Sequence, residues 1–286
     1  MTLTRRAFLA TGASALVASS ARATNQPRIA AIDWAMAETA AALHLPLVAL
    51  AEKRQFVRAS SVTLPKDCAD VGLRGTPNLE ALSLVAPELI LSSNFYSFVE
   101  PQLERIAPVY TRQLFVPQEP TLPKVLFAME ALAEHLNLGS RGQQIRGEYE
   151  TAFDQLAKQA AEYSDRPCIL MTVGDARHVQ IYGTDSIYGG ALTRIGLSNA
   201  WNGGTEFAFN APVPLSKLIA FPEARLVVVG ALPVSARRAI EQSALWSALK
   251  PVRAGRVLHL NDKTPFGGAP SALRFADHLV TALEHR

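Results

Sequence analysis

The chain has 286 residues, of which 49% are hydrophobic and 19% charged, so it can bury a substantial core and is not intrinsically disordered. That length suits two modest domains or one large one. The two cysteines are too few for a disulfide scaffold, and neither a CxxC pair nor a Cys/His zinc spacing occurs.

Residues 1–23 predict an export signal. An apolar run from Ala7 to Ser19 follows a charged start, is too short to span a bilayer, and leads to Ala21-Arg22-Ala23. The pair Arg5-Arg6 with Phe8-Leu9 favours a twin-arginine signal over an ordinary secretory one. Cleavage after residue 23 removes three arginines and no acid, which leaves 25 basic and 25 acidic residues. We therefore expect a soluble periplasmic protein whose balanced charge gives no electrostatic support to nucleic-acid binding.

Short apolar runs alternate with helical patterns over residues 24–120. Strands are predicted at 28–32, 46–51, 88–92 and 108–110, and helices at 35–43, 78–85 and 99–106. This alternation predicts an N-terminal lobe with a parallel or mixed sheet and helices on its faces.

The alternation stops over residues 121–165. Apolar residues recur at helical spacing from Val125 to Leu136, Leu138-Gly139 marks a stop, and a charged helix is predicted over 143–163. This helical segment between two β-α-β blocks predicts a connecting rod, with an ordinary surface helix as the alternative. A rod broken only at Gly139 leaves little room for a wide hinge motion.

The alternation resumes over residues 166–286, which predicts a C-terminal lobe. Strands are predicted at 168–172, 179–182, 226–229 and 256–260, and helices at 186–195, 236–249 and 271–284. Cys68 and Cys168 then fall in different lobes, so we expect each to be buried separately rather than joined in a disulfide.

No motif of catalysis is present in the sequence. The histidines form neither an HExxH motif nor a tight pair, and a metal site that combines His44 with His178 is outweighed by the usual structural role of single histidines. GxSxG, Walker and GxGxxG sequences do not occur. A two-lobed exported chain without catalytic motifs indicates a solute-binding protein, not an enzyme, with the ligand held between the lobes.

Several stretches together are specific to one family. They are Asp33-Trp34 with Glu38, Asp70-Val71-Gly72-Leu73-Arg74 with Pro77-Asn78-Leu79-Glu80, Ile106-Ala107-Pro108, Arg177-His178 through Ser186, Asn199-Ala200-Trp201, and Leu245-Trp246 through Arg256. In this order they resemble the periplasmic ferric-hydroxamate siderophore-binding proteins, over nearly the whole mature chain. The resemblance implies an α/β fold of two Rossmann-like lobes joined by a single long α-helix, the class III periplasmic binding protein architecture.

The resemblance also implies the function. Such a protein captures a ferric hydroxamate-type siderophore in the interlobe cleft and delivers it to an inner-membrane ABC permease with its ATPase. The siderophore already wraps the iron, so no cofactor and no protein metal ligand are expected. We expect a monomer.

The family's ligand-binding arginine and tyrosine fall on Arg74 and Tyr96. A planar guanidinium and a phenol both donate hydrogen bonds to the negatively charged hydroxamate oxygens. Family aromatic positions fall near Arg58, beside Phe209 and on Phe266, so the aromatic wall is thinner and a second cation is added. This change favours a more anionic, citrate-based mixed hydroxamate.

Carboxylates on each lobe of the family meet arginines of the permease. The resemblance places Glu38 and Glu100 in this docking role on the N-terminal lobe. The family's acid in the C-terminal lobe falls on Ser216, and Glu206 or Glu223 could replace it.

Two other functions are kept as alternatives. A haem- or cobalamin-binding protein of the same fold could offer Tyr96 or His178 as an axial ligand. An exported hydrolase that processes siderophores is disfavoured, because no Ser-His-acid order is found.

Overall fold

The computed structural model describes residues 26–175, 177–206, 209–232, 234–262 and 264–285, which form an α/β protein of two lobes. The predicted export signal lies outside these residues. Within the described ranges, no helix is long and apolar enough to cross a lipid bilayer.

The N-terminal lobe is built on a five-stranded sheet of order β3-β2-β1-β4-β5. Its strands are β1 (Ile29–Ala31), β2 (Leu47–Leu50), β3 (Ala69–Asp70), β4 (Leu89–Ser93) and β5 (Val109–Arg112). Its helices are α1 (Trp34–Ala42), α2 (Lys53–Ala59), α3 (Leu79–Leu84) and α4 (Glu100–Leu103). Neighbouring strands are parallel, so their carboxyl ends meet at one edge of the sheet, where ligand sites usually form in such folds.

The C-terminal lobe contains a mixed five-stranded sheet of order β10-β9-β6-β7-β8. Its strands are β6 (Cys168–Val173), β7 (His178–Tyr182), β8 (Asn210–Pro214), β9 (Arg225–Val229) and β10 (Val257–Leu260). Strand β7 runs antiparallel to β6 and β8, whereas β6, β9 and β10 are parallel. The helices of this lobe are α7 (Ile187–Arg194), α8 (Val234–Glu241), α9 (Ala244–Ala248), α10 (Lys250–Arg253) and α11 (Ala269–Glu284).

The connection between the lobes consists of two helices, α5 (Thr121–His135) and α6 (Gly139–Ala160). Helix α5 begins at the C-terminal lobe, where the Thr121 amide donates to the Asp185 carbonyl at 3.1 Å. It ends at the N-terminal lobe, where the rings of His135 and Tyr110 are 4.7 Å apart. Helix α5 therefore crosses from one lobe to the other.

Helix α6 crosses back in the opposite direction. Near its start, Arg141 Nη1 donates to the Leu43 carbonyl of the N-terminal lobe at 3.3 Å. Near its end, Asp154 accepts a hydrogen bond from Arg194 Nη2 of the C-terminal lobe at 2.6 Å. Both connecting helices thus contact both lobes.

The class III architecture expected from the sequence is confirmed, but the connection is not one continuous rod. The chain turns at Asn137, which has a left-handed backbone (φ 57°), so the break precedes the expected position at Gly139. The two helices then pack closely against each other. A Cβ atom added at Gly142 would lie 2.6 Å from the Cβ of Ala133, so only glycine allows this approach.

A hydrophobic cluster joins buried residues of both lobes and of the connecting helices. Cys68 and Cys168 belong to this cluster and are unpaired, as expected. Burial raises the pKa of each thiol to about 11, so both are protonated at neutral pH.

Candidate functional site

The loops after four parallel strands bring Trp34, Glu52, Arg74 and Tyr96 to the carboxyl edge of the N-terminal sheet. Trp34 follows β1, Glu52 follows β2, Arg74 follows β3 and Tyr96 follows β4. These positions are far apart in sequence, and the shared strand direction places the loops side by side.

Arg74 is held by two contacts. Its Nε donates to Glu52 Oε2 at 2.9 Å, and its Cζ lies 4.2 Å from the ring centroid of Trp34. The indole is itself fixed, because Nε1 of Trp34 donates to the Ala51 carbonyl at 3.1 Å. The side chains of Arg74 and Glu52 are 21% and 17% exposed, so the pair is largely withdrawn from water but still reachable by a ligand. A charge-assisted hydrogen bond and a cation–π contact together fix the guanidinium plane.

Tyr96 lies beside Arg74, close enough for the guanidinium charge to act on the phenol. Burial, helped by the negative charge of Asp33, raises the pKa of Tyr96 to about 12, although Arg74 acts in the opposite direction. The phenol therefore keeps its proton at neutral pH and can donate a hydrogen bond. The structure thus brings together the two residues that the sequence resemblance singled out.

Asp33 is a buried carboxyl group that holds the first turn of α1 next to β4. Its Oδ1 accepts from the Met36 amide at 2.8 Å and so caps α1, and its Oδ2 accepts from Ser93 Oγ at 2.8 Å. Burial raises the pKa of this carboxyl. The capping contact fixes the first turn of α1, which carries Trp34.

An aromatic cluster crosses the lobe boundary next to Tyr96. Phe95 stacks on Phe115 with ring centroids 4.5 Å apart, and both belong to the N-terminal lobe. Phe266 from the C-terminal lobe meets them at 5.3 and 5.8 Å, and Phe209 at 6.3 and 6.1 Å. Phe266 is half-buried, and its role as part of a ligand wall stays a prediction.

The expectation for Phe209 needs correction. This side chain is only 3% exposed, because it packs into the aromatic cluster instead of facing the cleft. In this conformation Phe209 does not offer its ring to a ligand.

Arg58 lies on α2, next to the Arg74–Glu52 pair. It lies in the last turn of α2, is exposed, and lines a hollow of about 400 Å³ together with Glu52, Arg54 and Asp70. Arg54 approaches Asp70 to 3.9 Å. The cation expected to favour an anionic ligand therefore shares its surroundings with two carboxylates, which removes much of the electrostatic reason for that preference.

Glu38 was expected on an exposed docking surface, and this expectation is wrong. The residue is fully buried between α1 and the start of α11. Its Oε2 accepts from the backbone amides of Gly268 at 2.8 Å and Ser271 at 3.2 Å, and its Oε1 accepts from the hydroxyls of Ser271 and Ser60. Helix α1 is buried on nearly every side, so its single acid, Glu38, lies inside the protein. Its bonds to the start of α11 link the N-terminal lobe to the C-terminal lobe.

The other docking candidates have different surroundings. Glu100 is half-buried, and its Oε1 accepts from Thr111 Oγ1 at 2.8 Å, so its role stays a prediction. Glu223 already contacts Lys250, Arg166 and Arg256, and these contacts, led by Lys250, lower its pKa to about 2.

Another hollow lies away from Arg74. A hollow of about 830 Å³ lies in the C-terminal lobe at the ends of β9 and β10, and its lining includes Trp246 and Ile240. In the part of the chain that the structure describes, no group of three or more His, Cys, Asp or Glu side chains is placed to hold a metal ion.

The fold and this site can be compared with known proteins. Residues 29–264 match the family model described as periplasmic binding protein. The chain belongs to that family. The resemblance carried by the sequence motifs is therefore confirmed, and the fold is shared with a solved siderophore-binding protein described below.

Two known proteins are similar to this chain in sequence, and one solved structure is similar to it in fold. The iron(3+)-hydroxamate-binding protein FhuD of Escherichia coli K12 is 28% identical over 264 residues, covering 92% of this chain and 89% of that protein. The Fe(3+)-citrate-binding protein YfmC of Bacillus subtilis 168 is 24% identical over 198 residues, covering 67% of this chain and 59% of that protein. The crystal structure of the siderophore-binding protein FhuD from Vibrio cholerae, bound to Fe3+-Desferal, matches with a TM-score of 0.82 at 23% identity, covering 90% and 98% of the two chains.

Proposed function

We propose that this protein captures ferric siderophores of the hydroxamate type in its interlobe cleft and delivers them to an inner-membrane ABC importer. The observation that carries the proposal is the pair of Arg74 and Tyr96 at the carboxyl edge of the N-terminal sheet, where Arg74 is held over the ring of Trp34. The family, and a relative named for binding iron(3+)-hydroxamate, support the same conclusion.

The chemistry of the pair suits a ferric hydroxamate. Arg74 uses Nε for Glu52, so the N–H groups on Nη1 and Nη2 can donate to a ligand. Hydroxamate oxygens bound to Fe(III) are partly negative acceptors, and a guanidinium donates to them at a fixed angle. The siderophore supplies all the iron ligands, so the site needs hydrogen-bond donors and a flat apolar surface. The ring of Trp34 and the half-buried ring of Phe266 provide such a surface.

We also propose where the protein works and how it meets its importer. The twin-arginine signal at residues 1–23 directs the folded protein to the periplasm, where it works as a monomer. Glu100 takes part in docking on the permease. Binding and release, without a chemical step, make up the whole activity, so the protein is not an enzyme.

Titration of tryptophan fluorescence with ferrichrome, an uncharged ferric trihydroxamate, tests the proposal. We expect saturable quenching in the wild type, because Trp34 lies directly under Arg74. Arg74→Ala should weaken binding about 10- to 100-fold, since a hydrogen bond to a charged group contributes roughly 1.5–3 kcal/mol. The exposed Arg105, replaced by alanine, is the control and should bind like the wild type. Equal affinity of a folded Arg74→Ala variant and the wild type would refute the assigned clamp.

A further inference from the structure

We infer that Glu52 sets the charge preference of the cleft: it balances Arg74, so the site favours ferric complexes without net negative charge over anionic ones. This inference rests on the proposed function and names the substrate class more closely.

The backbone of Glu52 is the first observation. It has φ 53° and ψ 38°, a left-handed conformation that costs a side-chain-bearing residue about 1 kcal/mol or more. Its amide donates to the Gly72 carbonyl at 2.6 Å, which ties the loop after β2 to the loop after β3. The strained turn points the Glu52 carboxylate at Arg74. Its Oε2 accepts from Arg74 Nε at 2.9 Å, and its Oε1 lies 3.5 Å from the backbone amide nitrogen of Arg74. Such strain at the mouth of a site is typical of a functional constraint.

The consequence is electrostatic. Arg74 without a partner would present a full positive charge to any ligand, whereas the Arg74–Glu52 pair presents a dipole with donors at its outer end. An anionic complex held by the donors of Arg74 then also meets the repulsion of a carboxylate just behind them. For charges about 8 Å apart at an effective dielectric constant of about 30, one unit charge changes affinity about tenfold.

The other charges near the pair do not reverse this balance. Asp33 contributes a further acidic group close to Arg74. Arg54 and Arg58 line the neighbouring hollow together with Asp70 and Glu52 itself. Removing the charge of Glu52 therefore makes the electrostatic potential around Arg74 more positive.

The test separates charge from positioning. In Glu52→Gln the side-chain oxygen still accepts from Arg74 Nε, so the guanidinium keeps its place while the negative charge is lost. Glu88→Gln is the matched control, because Glu88 lies at the opposite edge of the same sheet, before β4, where it accepts from the Arg28 amide at 2.8 Å. Thermal melts confirm that each variant is folded.

Each variant is titrated with ferrichrome, which is uncharged, and with ferric aerobactin, an anionic citrate-dihydroxamate complex. We expect the wild type and Glu88→Gln to prefer ferrichrome. In Glu52→Gln the ratio of the two Kd values should shift about tenfold toward ferric aerobactin, on top of any change in affinity that a weaker hold on Arg74 causes equally for both complexes.

The outcomes are distinguishable. If the wild type binds both complexes and the ratio stays within about twofold in Glu52→Gln, the inference is wrong and the proposed function stands. If Glu52→Gln weakens both complexes equally, Glu52 only positions Arg74, and the inference is again overturned. If the wild type binds neither complex, both the inference and the proposed function fall together.

Discussion

Replacing Glu38 by alanine should loosen the junction between the two lobes. Helix α11 starts at the lobe boundary without a capping side chain of its own, and Gly268 occupies its N-cap position. Glu38, from α1 in the other lobe, supplies the missing acceptor to the amides of Gly268 and Ser271. The variant removes an acceptor that the two backbone N–H groups cannot replace within their own helix.

The magnitude follows from these contacts. Each buried N–H group left without an acceptor costs about 1–3 kcal/mol, and the lost methylene adds about 0.8 kcal/mol. The hydroxyl of Ser271 already lies 2.7 Å from Thr264 Oγ1 and can turn to it, so it adds little. The two N–H groups and the methylene together lower the expected free energy of unfolding by about 3–7 kcal/mol. For a chain of this size that corresponds to a drop in Tm of about 10 °C or more.

Thermal and urea unfolding, followed by circular dichroism, measure the effect. Glu38→Gln keeps an oxygen for the two amides and should lose less than about 1.5 kcal/mol, and the exposed Glu104, replaced by alanine, should melt like the wild type. Hydrogen exchange of Glu38→Ala should speed up at the start of α11. A Tm within about 2 °C of the wild type would refute the idea that Glu38 joins the lobes.

Three further predictions concern ligand binding, pH and lobe motion. Tyr96→Phe should weaken ferrichrome binding about 3- to 10-fold by calorimetry with an unchanged Tm, because only a hydroxyl donor is lost; undiminished affinity would remove Tyr96 from the clamp. Burial raises the pKa of Glu38 above its ordinary value of 4.5, so the protonated carboxyl group stabilises the fold fully below about pH 4.5. This stabilisation is lost as the pH rises through the raised pKa. The Tm of Glu38→Gln should therefore fall less steeply than that of the wild type as the pH rises from about 4.5, and parallel curves would speak against this assignment. Small-angle scattering should give nearly the same radius of gyration with and without ferrichrome, since α5 and α6 both contact both lobes; a large contraction on binding would contradict it.

Sequence periodicity could predict the elements with strong apolar patterns. The unbroken run of β9 and the amphipathic closing helix α11 are examples. Three other elements lack such a pattern. Strand β8 contains two prolines, β3 has only two residues, and α2 buries Phe56 alone. Their structure is set by neighbouring strands and helices, which a local pattern does not contain.

The candidate site was predictable only in part for a related reason. Arg74 and Tyr96 lie within motifs that the family resemblance marks. Glu52 meets Arg74 only because β2 and β3 are adjacent and parallel, and local sequence does not encode that adjacency. The burial of Glu38 had a usable signal, since the sequence of α1 is apolar on almost all sides, and an acid in such a helix is expected inside.

Native mass spectrometry of the mature protein tests the central claim most directly. The protein is mixed with equal amounts of ferrichrome, ferric citrate, haemin and cobalamin, and the retained ligand is identified from the mass of the complex. The account predicts a 1:1 complex with ferrichrome in the wild type and its loss in Arg74→Ala. Retention of haemin or cobalamin in preference to ferrichrome, or retention of no ligand, would contradict it.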